Sequence, residues 1–583
     1  MWTQEHFRVL HVDLTARKSR VLEFGNPVDA LGGSGLAAAL YDEYGLPQEP
    51  AHHPDQPLIF AIGPLTGYYP LMSKVVCAFK SPYHEQYAES HAGGRMALAM
   101  RFAGYHALMI TGRAATLSVL QAGSRSMQIK DVHYLRGKDV FSTGKLLRSL
   151  TRSSDSRGHR SIIRIGPAGE KGSSYACINV DTYRHFGRLG AGAIMGLKNL
   201  KAVAMEGDAD FQMPGGKAYA KIYKDFFQKV TATDMMRKYH DLGTPQNLIP
   251  LNELKSLPWR NLQATSDPAV DRISGETFAE ELLLRQTACA GCPVGCVHIG
   301  LLRQQFAKDH EFLYRQVSYD YEPIFAMGSM LGLDAASNVL VLLEETEKVG
   351  LDVMSAGVAL AWATEALDTG LISEKETLVP LRFGDVKGYA QAIRHLGLAS
   401  NDFYKTLAQG SLVAAEKYGG GDFACVLGQE MAGYATGEVY FASQATSFRH
   451  SHLDTGAYSY DQKRKEQDTD AAVKFLVEDE QGRMELCSMV SCLFARSVYT
   501  HDALQEALAA VELTDMADNL TQASANVQQL RWKLKIATGF DPHAVKIPKR
   551  FTEVETWRGK IDETFMWDVQ KNYADAIMKM AST

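Results

Sequence analysis

Three cysteines, Cys289, Cys292 and Cys296, fall within eight residues in the order C-x2-C-x3-C. Gly291, Pro293 and Gly295 supply tight turns between them, which let three thiolates converge on one inorganic centre. Eight cysteines in 583 residues are too few for a disulfide scaffold, so the clustering points to metal binding in a reducing compartment. A [4Fe–4S] cluster needs a fourth thiolate from elsewhere in the chain, and Cys487 and Cys492 are the candidates. Zinc is the competing occupant, held by the same three thiols with His298 or another cysteine. Cys77, Cys177 and Cys425 lie in apolar surroundings and read as buried fillers.

The chain is too long for one ordinary core, and three domains are the natural expectation. Hydrophobic residues at 46% against 22% charged give the balance of a folded enzyme. The net charge of −6 is spread without long blocks of one sign, which speaks against nucleic acid or an anionic membrane as partner. The first residues, Met1 to His6, carry no basic stretch followed by an apolar one, so no secretory signal is read. The most apolar helical segment, Ser355 to Ile372, contains Glu365 and Asp368 and reads as a buried soluble helix, not a membrane span. A cytoplasmic enzyme is the resulting expectation.

The first two hundred residues read as β-rich. Leu10, Val12 and Leu14 alternate with His11 and Asp13, and Leu58–Ile62, Ala107–Ile110, Ile162–Ile165 and Ala202–Ala204 are short apolar runs near glycine. After about Gly207 helical spacing takes over, with Val339, Leu342, Leu343 and Thr346 leading to Gly350 and further helices expected at 355–369, 403–417 and 502–513. Segment 440–485, polar and aromatic, reads as long loops. The expected class is α+β: a β-rich domain over 1–208, a mainly helical domain over 209–395 with the cysteine triad, and a mainly helical domain over 396–583. Glycine-rich turns punctuate the first domain at Gly32–Gly35, Gly63–Gly67, Gly93-Gly94, Gly166–Gly169 and Gly187–Gly192. Glycine permits close backbone approach, so such turns cradle phosphates, although each alone is more often an ordinary turn. None forms the dinucleotide fingerprint G-x-G-x-x-G, which sets a nicotinamide fold aside.

Taken together and in order, these motifs resemble the tungsten-dependent aldehyde:ferredoxin oxidoreductase family. Arg8–Thr15 opens the chain as in family members. Gly63-Pro64-Leu65-Thr66-Gly67, Phe102-Ala103-Gly104-Tyr105, Ile165–Glu170, Gly192–Gly196, Lys198–Ala202 and Ile547-Pro548-Lys549-Arg550-Phe551 follow in the expected places. The resemblance implies a tungsten or molybdenum bis-pterin cofactor resting on the β-rich domain, a magnesium ion bridging the pterin phosphates, and one [4Fe–4S] cluster. It assigns Cys289, Cys292, Cys296 and Cys492 as cluster ligands. Cys487 stands where the family has an aspartate that contacts pterin. The companion pterin element appears as Glu347-Lys348-Val349-Gly350-Leu351-Asp352, with glutamate for the first aspartate; without that context Asp352 reads equally as a helix N-cap. Lys74 replaces the arginine that links pterin to cluster, keeping the charge but losing the planar fork. Phosphate contacts are expected from His91, Gly93 and Gly94 and from Arg184, Gly187 and Arg188, although the two arginines would serve equally as surface ion-pair partners.

Tyr321-Glu322 takes the family's active-site position, and a histidine beside the metal follows an arginine loop, here His450 or His452, of which His452 is preferred. The implied reaction is aldehyde plus water to carboxylic acid, with a proton handled by Glu322 and electrons passed to ferredoxin or an iron–sulfur partner subunit. Two alternatives stand beside it: a low-potential reductase subunit acting on an aromatic thioester, and a non-catalytic zinc-binding relative. The oligomeric state is open.

Overall fold

The computed structural model describes residues 5–151, 158–308 and 310–582. The segments read as strands pair into two six-stranded mixed sheets. In the first, β1 (Phe7–Asp13), β2 (Lys18–Phe24), β3 (Leu58–Ala61), β4 (Val75–Lys80), β5 (Tyr87–Ala92) and β6 (Ala107–Thr111) run in the order β2-β1-β6-β3-β4-β5. Only β1 and β6 pair in parallel. The second joins β7 (Ser118–Ala122), β8 (Met127–Asp131), β9 (His159–Arg164), β10 (Ile178–Val180), β11 (Arg184–Phe186) and β12 (Leu200–Gly207) in the order β11-β10-β9-β12-β7-β8. All six residues of β4 are buried, which places Cys77 in the core as a filler. Strand β11 packs on β5, so the two sheets meet along their last strands.

Helices dominate the remainder, giving the α+β class with a β-rich first region and helical regions after it. Middle and C-terminal segments differ from expectation in three places. The middle region carries a third, antiparallel sheet of β13 (Leu283–Thr287), β14 (Val297–Ala307) and β15 (Glu311–Tyr319). Its strands are long and rich in Arg and Gln, with several exposed apolar residues, so no clean period of two marks them. The helix expected at 403–417 is two, Asp402–Leu407 and Ser411–Tyr418, broken at Gly410 with φ 128°. Segment 440–485 is not loop: Glu438–Thr446, Ala457–Lys463 and Thr469–Ser488 are helices. Glu438–Thr446 is buried on every side, which removes the one-sided stripe that identifies a helix from sequence.

Elsewhere, Asp352 accepts from the amides of Met354 and Ser355 at 3.2 Å and caps helix Val353–Asp368, while Gly350, with φ 77°, ends helix Ala336–Val349. One continuous apolar core runs through the molecule, with a satellite of Leu117, Val119, Leu147 and their neighbours on one face of the second sheet. Among the described residues no single helix is long and apolar enough to cross a membrane.

Candidate active site

The cysteine triad occupies the connection from β13 to β14, and Asp320-Tyr321-Glu322 follows directly on β15, so one small sheet delivers both. The fourth cysteine arrives from the other end of the chain. Met72 and Ser491 form a β-bridge, the Cys492 amide donates to Leu71 O at 3.1 Å, and the Leu71 amide donates to Gly291 O at 3.2 Å. Segment 70–74 is thus a seam between the cysteine loop and Cys492. All four cysteines line one cavity of about 1130 Å³, together with Lys74, His91, Arg184, Gly187, Arg188, Glu322, His452 and Cys487.

The electrostatics differ between the thiols: burial pushes those of Cys292 and Cys296 up to about 12, and only at Cys289 do neighbours reverse it. Burial works against ionising Cys289, yet the Lys74 ammonium and Arg184 guanidinium outweigh it and hold the thiol below its usual range. Arg184 lies 3.8 Å from Cys296 Sγ and 3.8 Å from Asp320. Gly93 abuts this loop, since a Cβ there would sit 2.5 Å from Cys289 Sγ and 3.3 Å from Lys74 Nζ. Gly94 accepts the Ala290 amide at 3.0 Å. These two glycines therefore hold the cysteine loop from behind; neither lines the cavity. The zinc reading loses its histidine: His298 is fully buried, its Nε2 lying 3.0 Å from the carbonyl oxygens of His240 and Asp241, outside the cavity wall.

Also on the cavity wall, Glu322 Oε1 lies 3.0 Å from His452 Nε2 and accepts from the Tyr434 hydroxyl at 3.0 Å. Burial alone would raise the Glu322 carboxyl, but His452, with Tyr434 behind it, outweighs burial and holds it below the usual carboxylate range. His450 is elsewhere. Its ring packs over Gly428, its Nδ1 lies 2.9 Å from Ala445 O and its Nε2 lies 3.1 Å from Lys535 Nζ. Tyr321 is also behind the wall, its hydroxyl donating to Gly433 O at 2.6 Å. Of the two tyrosines, Tyr434 faces the cavity, and its ring packs 4.9 Å from that of Tyr321. Nothing local in the sequence singles out Tyr434, because its partner Glu322 is 112 positions away.

The expected pterin contacts divide. His91 and Cys487 lie together at the cavity, and burial of the Cys487 thiol is outweighed by His91 and Arg449, which hold it below the usual thiol range. Arg188 bonds Asp352 at 3.1 Å and Glu430 O at 2.6 Å. Asp352 thereby positions an arginine of the wall and does not line the wall itself. Glu347 pairs with His185 at 3.1 Å beside a separate cavity of about 100 Å³. Gly350 and Leu351 serve the backbone: Gly350 O accepts the Cys177 amide at 3.0 Å and Leu351 bridges Ala176.

Several buried atoms at this cavity have no hydrogen-bond partner among the described residues: Arg184 Nε, Arg188 Nη1, Arg449 Nη2 and His452 Nδ1. Orphaned buried guanidinium donors are costly unless an acceptor reaches them, so this donor set fits an anionic, phosphate-bearing group. Gly187 adds bare backbone with open space in front of it, where such a group approaches closely.

A large chamber lined by five thiols, converging arginines and a hydrogen-bonded carboxylate–imidazole pair defines a cofactor-dependent redox enzyme. Family comparison makes this specific. Residues 9–207 match the aldehyde ferredoxin oxidoreductase N-terminal domain and residues 221–575 match its domains 2 and 3. The chain belongs to the aldehyde ferredoxin oxidoreductase family, tungstopterin oxidoreductases. A tungsten-containing aldehyde ferredoxin oxidoreductase of Pyrococcus furiosus is 29% identical over 421 residues, 71% of this chain and 67% of that protein. The one from Thermococcus kodakarensis is 28% identical over 425 residues, 71% and 68% respectively. An aliphatic sulfonate oxidoreductase, WOR-like subunit, of Pyrococcus furiosus is 28% identical over 426 residues, 70% and 67%. The matched part thus spans about two thirds of these relatives. In fold, the chain is similar to the active-site complex of benzoyl-coenzyme A reductase with 1,5-dienoyl-CoA, with TM-score 0.82 over 99% of this chain and 95% of that one, at 17% identity.

Proposed function

We propose that this enzyme oxidises an uncharged aldehyde to its carboxylic acid and passes the electrons singly to an iron–sulfur carrier. The observation that carries the reading is the Glu322–His452–Tyr434 constellation, which opens on the same cavity as the four cysteines. When bound, the family's tungsten bis-pterin supplies the two-electron acceptor and oxygen-transfer chemistry, and a [4Fe–4S] cluster at Cys289, Cys292, Cys296 and Cys492 supplies a one-electron outlet.

The chain's own residues bind, orient and move protons. Aldehyde and water become acid, two electrons and two protons. Glu322, ionised, with Oε1 accepting from the Tyr434 hydroxyl and 3.0 Å from His452 Nε2, accepts a proton from the hydrated carbonyl carbon's hydroxyl. His452 takes that proton at Nε2 as its ring gives one up at Nδ1, which has no hydrogen-bond partner among the described residues. Pro323, Met354, Leu453 and Tyr458 make that side of the cavity apolar, which favours a neutral substrate and excludes bulk water. Arg188, Arg449 and Arg184 have donors to spare and would hold the cofactor's phosphates.

Anaerobic protein from a host that makes the cofactor tests this directly. About one tungsten or molybdenum and about four iron per chain, with aldehyde-dependent reduction of benzyl viologen, are the expected results. Zinc in place of iron, or a fully loaded protein inert toward every aldehyde tried, overturns the reading. One observation favours a second reading, reduction of an aromatic thioester: the stacked rings of Tyr239 and Phe494, 3.8 Å apart, line the cavity with Tyr434 and Tyr458. Benzoyl-CoA-dependent oxidation of reduced viologen by the loaded protein would single it out.

A further inference from the structure

We propose that the exposed face of helix Lys217–Ala232 is the docking surface for an acidic one-electron iron–sulfur carrier protein, connected to the cysteine loop by packed aromatic rings. The inference rests on the function proposed above and names where its electrons leave. Helix Lys217–Ala232 is anchored by a narrow strip, Tyr219, Phe226 and Val230. Beside that strip Tyr223 and Phe227, four residues apart, stack at 6.3 Å with 38% and 41% exposure. Large aromatics left in water on a helix face mark an interaction surface.

On the helix itself, the charge left unpaired among the described residues has one sign. Lys217, Lys221 and Lys224 are exposed and make no ion pair among the described residues, while the helix's one acidic residue, Asp225, is neutralised by Lys229 at 2.7 Å. The chain as a whole carries −6, so this is a local positive field on an acidic protein, which steers an acidic partner to this face and repels it from the rest.

A continuous inner connection ties that face to the thiols. The Leu71 amide bonds Gly291 O of the cysteine loop, and the Tyr499 hydroxyl donates to the neighbouring Pro70 O at 2.5 Å. From Tyr499 the ring centroids step 4.9 Å to Phe226, 5.3 Å to Tyr69, 5.4 Å to Tyr219 and 6.1 Å to Tyr223. None of these rings has to change redox state. They are a packed medium between donor and acceptor, and two successive single-electron transfers, each reducing one oxidised carrier, account for the two electrons of one aldehyde.

The test compares holoenzyme with the K217E/K221E/K224E and F227A variants, using a small acidic [4Fe–4S] ferredoxin. Three quantities are read: the ferredoxin Kd by titration calorimetry, cluster reduction by pre-reduced ferredoxin in stopped flow, and aldehyde oxidation with benzyl viologen. Charge reversal should weaken ferredoxin binding at least tenfold, slow cluster reduction in step and flatten its salt dependence, with the viologen rate unchanged. F227A should weaken binding without altering the salt slope. Unchanged ferredoxin Kd and transfer rate in the triple variant, with wild-type iron content, would overturn the docking surface even if aldehyde oxidation is normal. Conversely, a wild-type protein that oxidises no aldehyde but exchanges electrons with ferredoxin in a lysine-dependent way would sink the substrate reading and leave the surface standing.

Discussion

At single residues, the chemistry turns on which side chains share a hydrogen bond. Glu322→Gln keeps the shape and the Tyr434 contact but removes the proton acceptor. Turnover should fall about 10²–10⁴-fold with iron content intact, and steady-state rates beside iron analysis would show it. His452→Asn should fall similarly, whereas His450→Asn should leave turnover near wild type because His450 faces Lys535 and Ala445. Equal losses in the two histidine variants would refute that distinction. A glycine is as decisive at Cys289. Gly93→Ala places a methyl 2.5 Å from the sulfur and 3.3 Å from Lys74 Nζ, so it should lower iron occupancy and change the cluster's EPR signal while far-ultraviolet circular dichroism stays the same. Full iron with an unaltered signal would mean the loop simply gives way.

At the level of elements, close backbone packing explains glycines that no site needs. A Cβ on Gly196 would meet Gly169 O at 1.8 Å, where helix Ala191–Leu197 rests on Pro167–Glu170. Gly196→Ala should destabilise by about 1–3 kcal/mol, seen as a lower denaturant midpoint at constant slope. Helix Thr469–Ser488 brings a pH effect. Burial pushes Glu480 up to about 7 from an ordinary 4.5, and Arg531, held by Glu89 at 2.7 and 3.1 Å and 3.9 Å from Glu480, offsets it only in part. The folded state therefore keeps a proton that the unfolded chain releases. Stability from this group is complete below pH 4.5 and is lost as pH rises through about 7. Thermal melts should decline across that window, and Glu480→Gln should flatten the decline; a variant with the wild-type slope would assign it to other groups. The helix itself was hidden in sequence because a polar run ordinarily signals loop, and only the assembled core shows that Glu480 Oε2 is met by Gln528 and Trp532 of another helix.

Across the molecule, the first region and the C-terminal helices are locked by buried charge. Arg531, fully buried on helix Leu520–Ala537, bonds Glu89 of β5 twice and places its guanidinium 3.7 Å from the Phe448 ring centroid. Arg531→Met leaves Glu89 buried with His91, Ser34 and Tyr87 but without its strongest cation, and should cost about 3–5 kcal/mol, whereas adding Glu89→Gln should cost less than the sum of the two singles. Denaturant melts of the double-mutant cycle measure the coupling, and strict additivity would deny it.

Local chemistry was readable directly from the chain. The thiol spacing, the glycine turns, the strand alternation of Leu10, Val12 and Leu14, and the Asp352 cap each depend on neighbours a few residues away. The resemblance of ordered motifs carried the family and the fourth cysteine. His452 is preferred over His450 already on the sequence, and the structure puts only His452 of the pair at the cavity; tertiary structure alone chose Tyr434 over Tyr321, moved Gly93 and Gly94 behind the cysteine loop, and made Asp352 the support of Arg188. Those choices are made by packing between segments up to hundreds of residues apart, such as Met72 with Ser491 and Glu89 with Arg531. Spacing along the chain specifies a turn or a period, but the partner that a side chain meets across the core is specified only when the whole core is assembled.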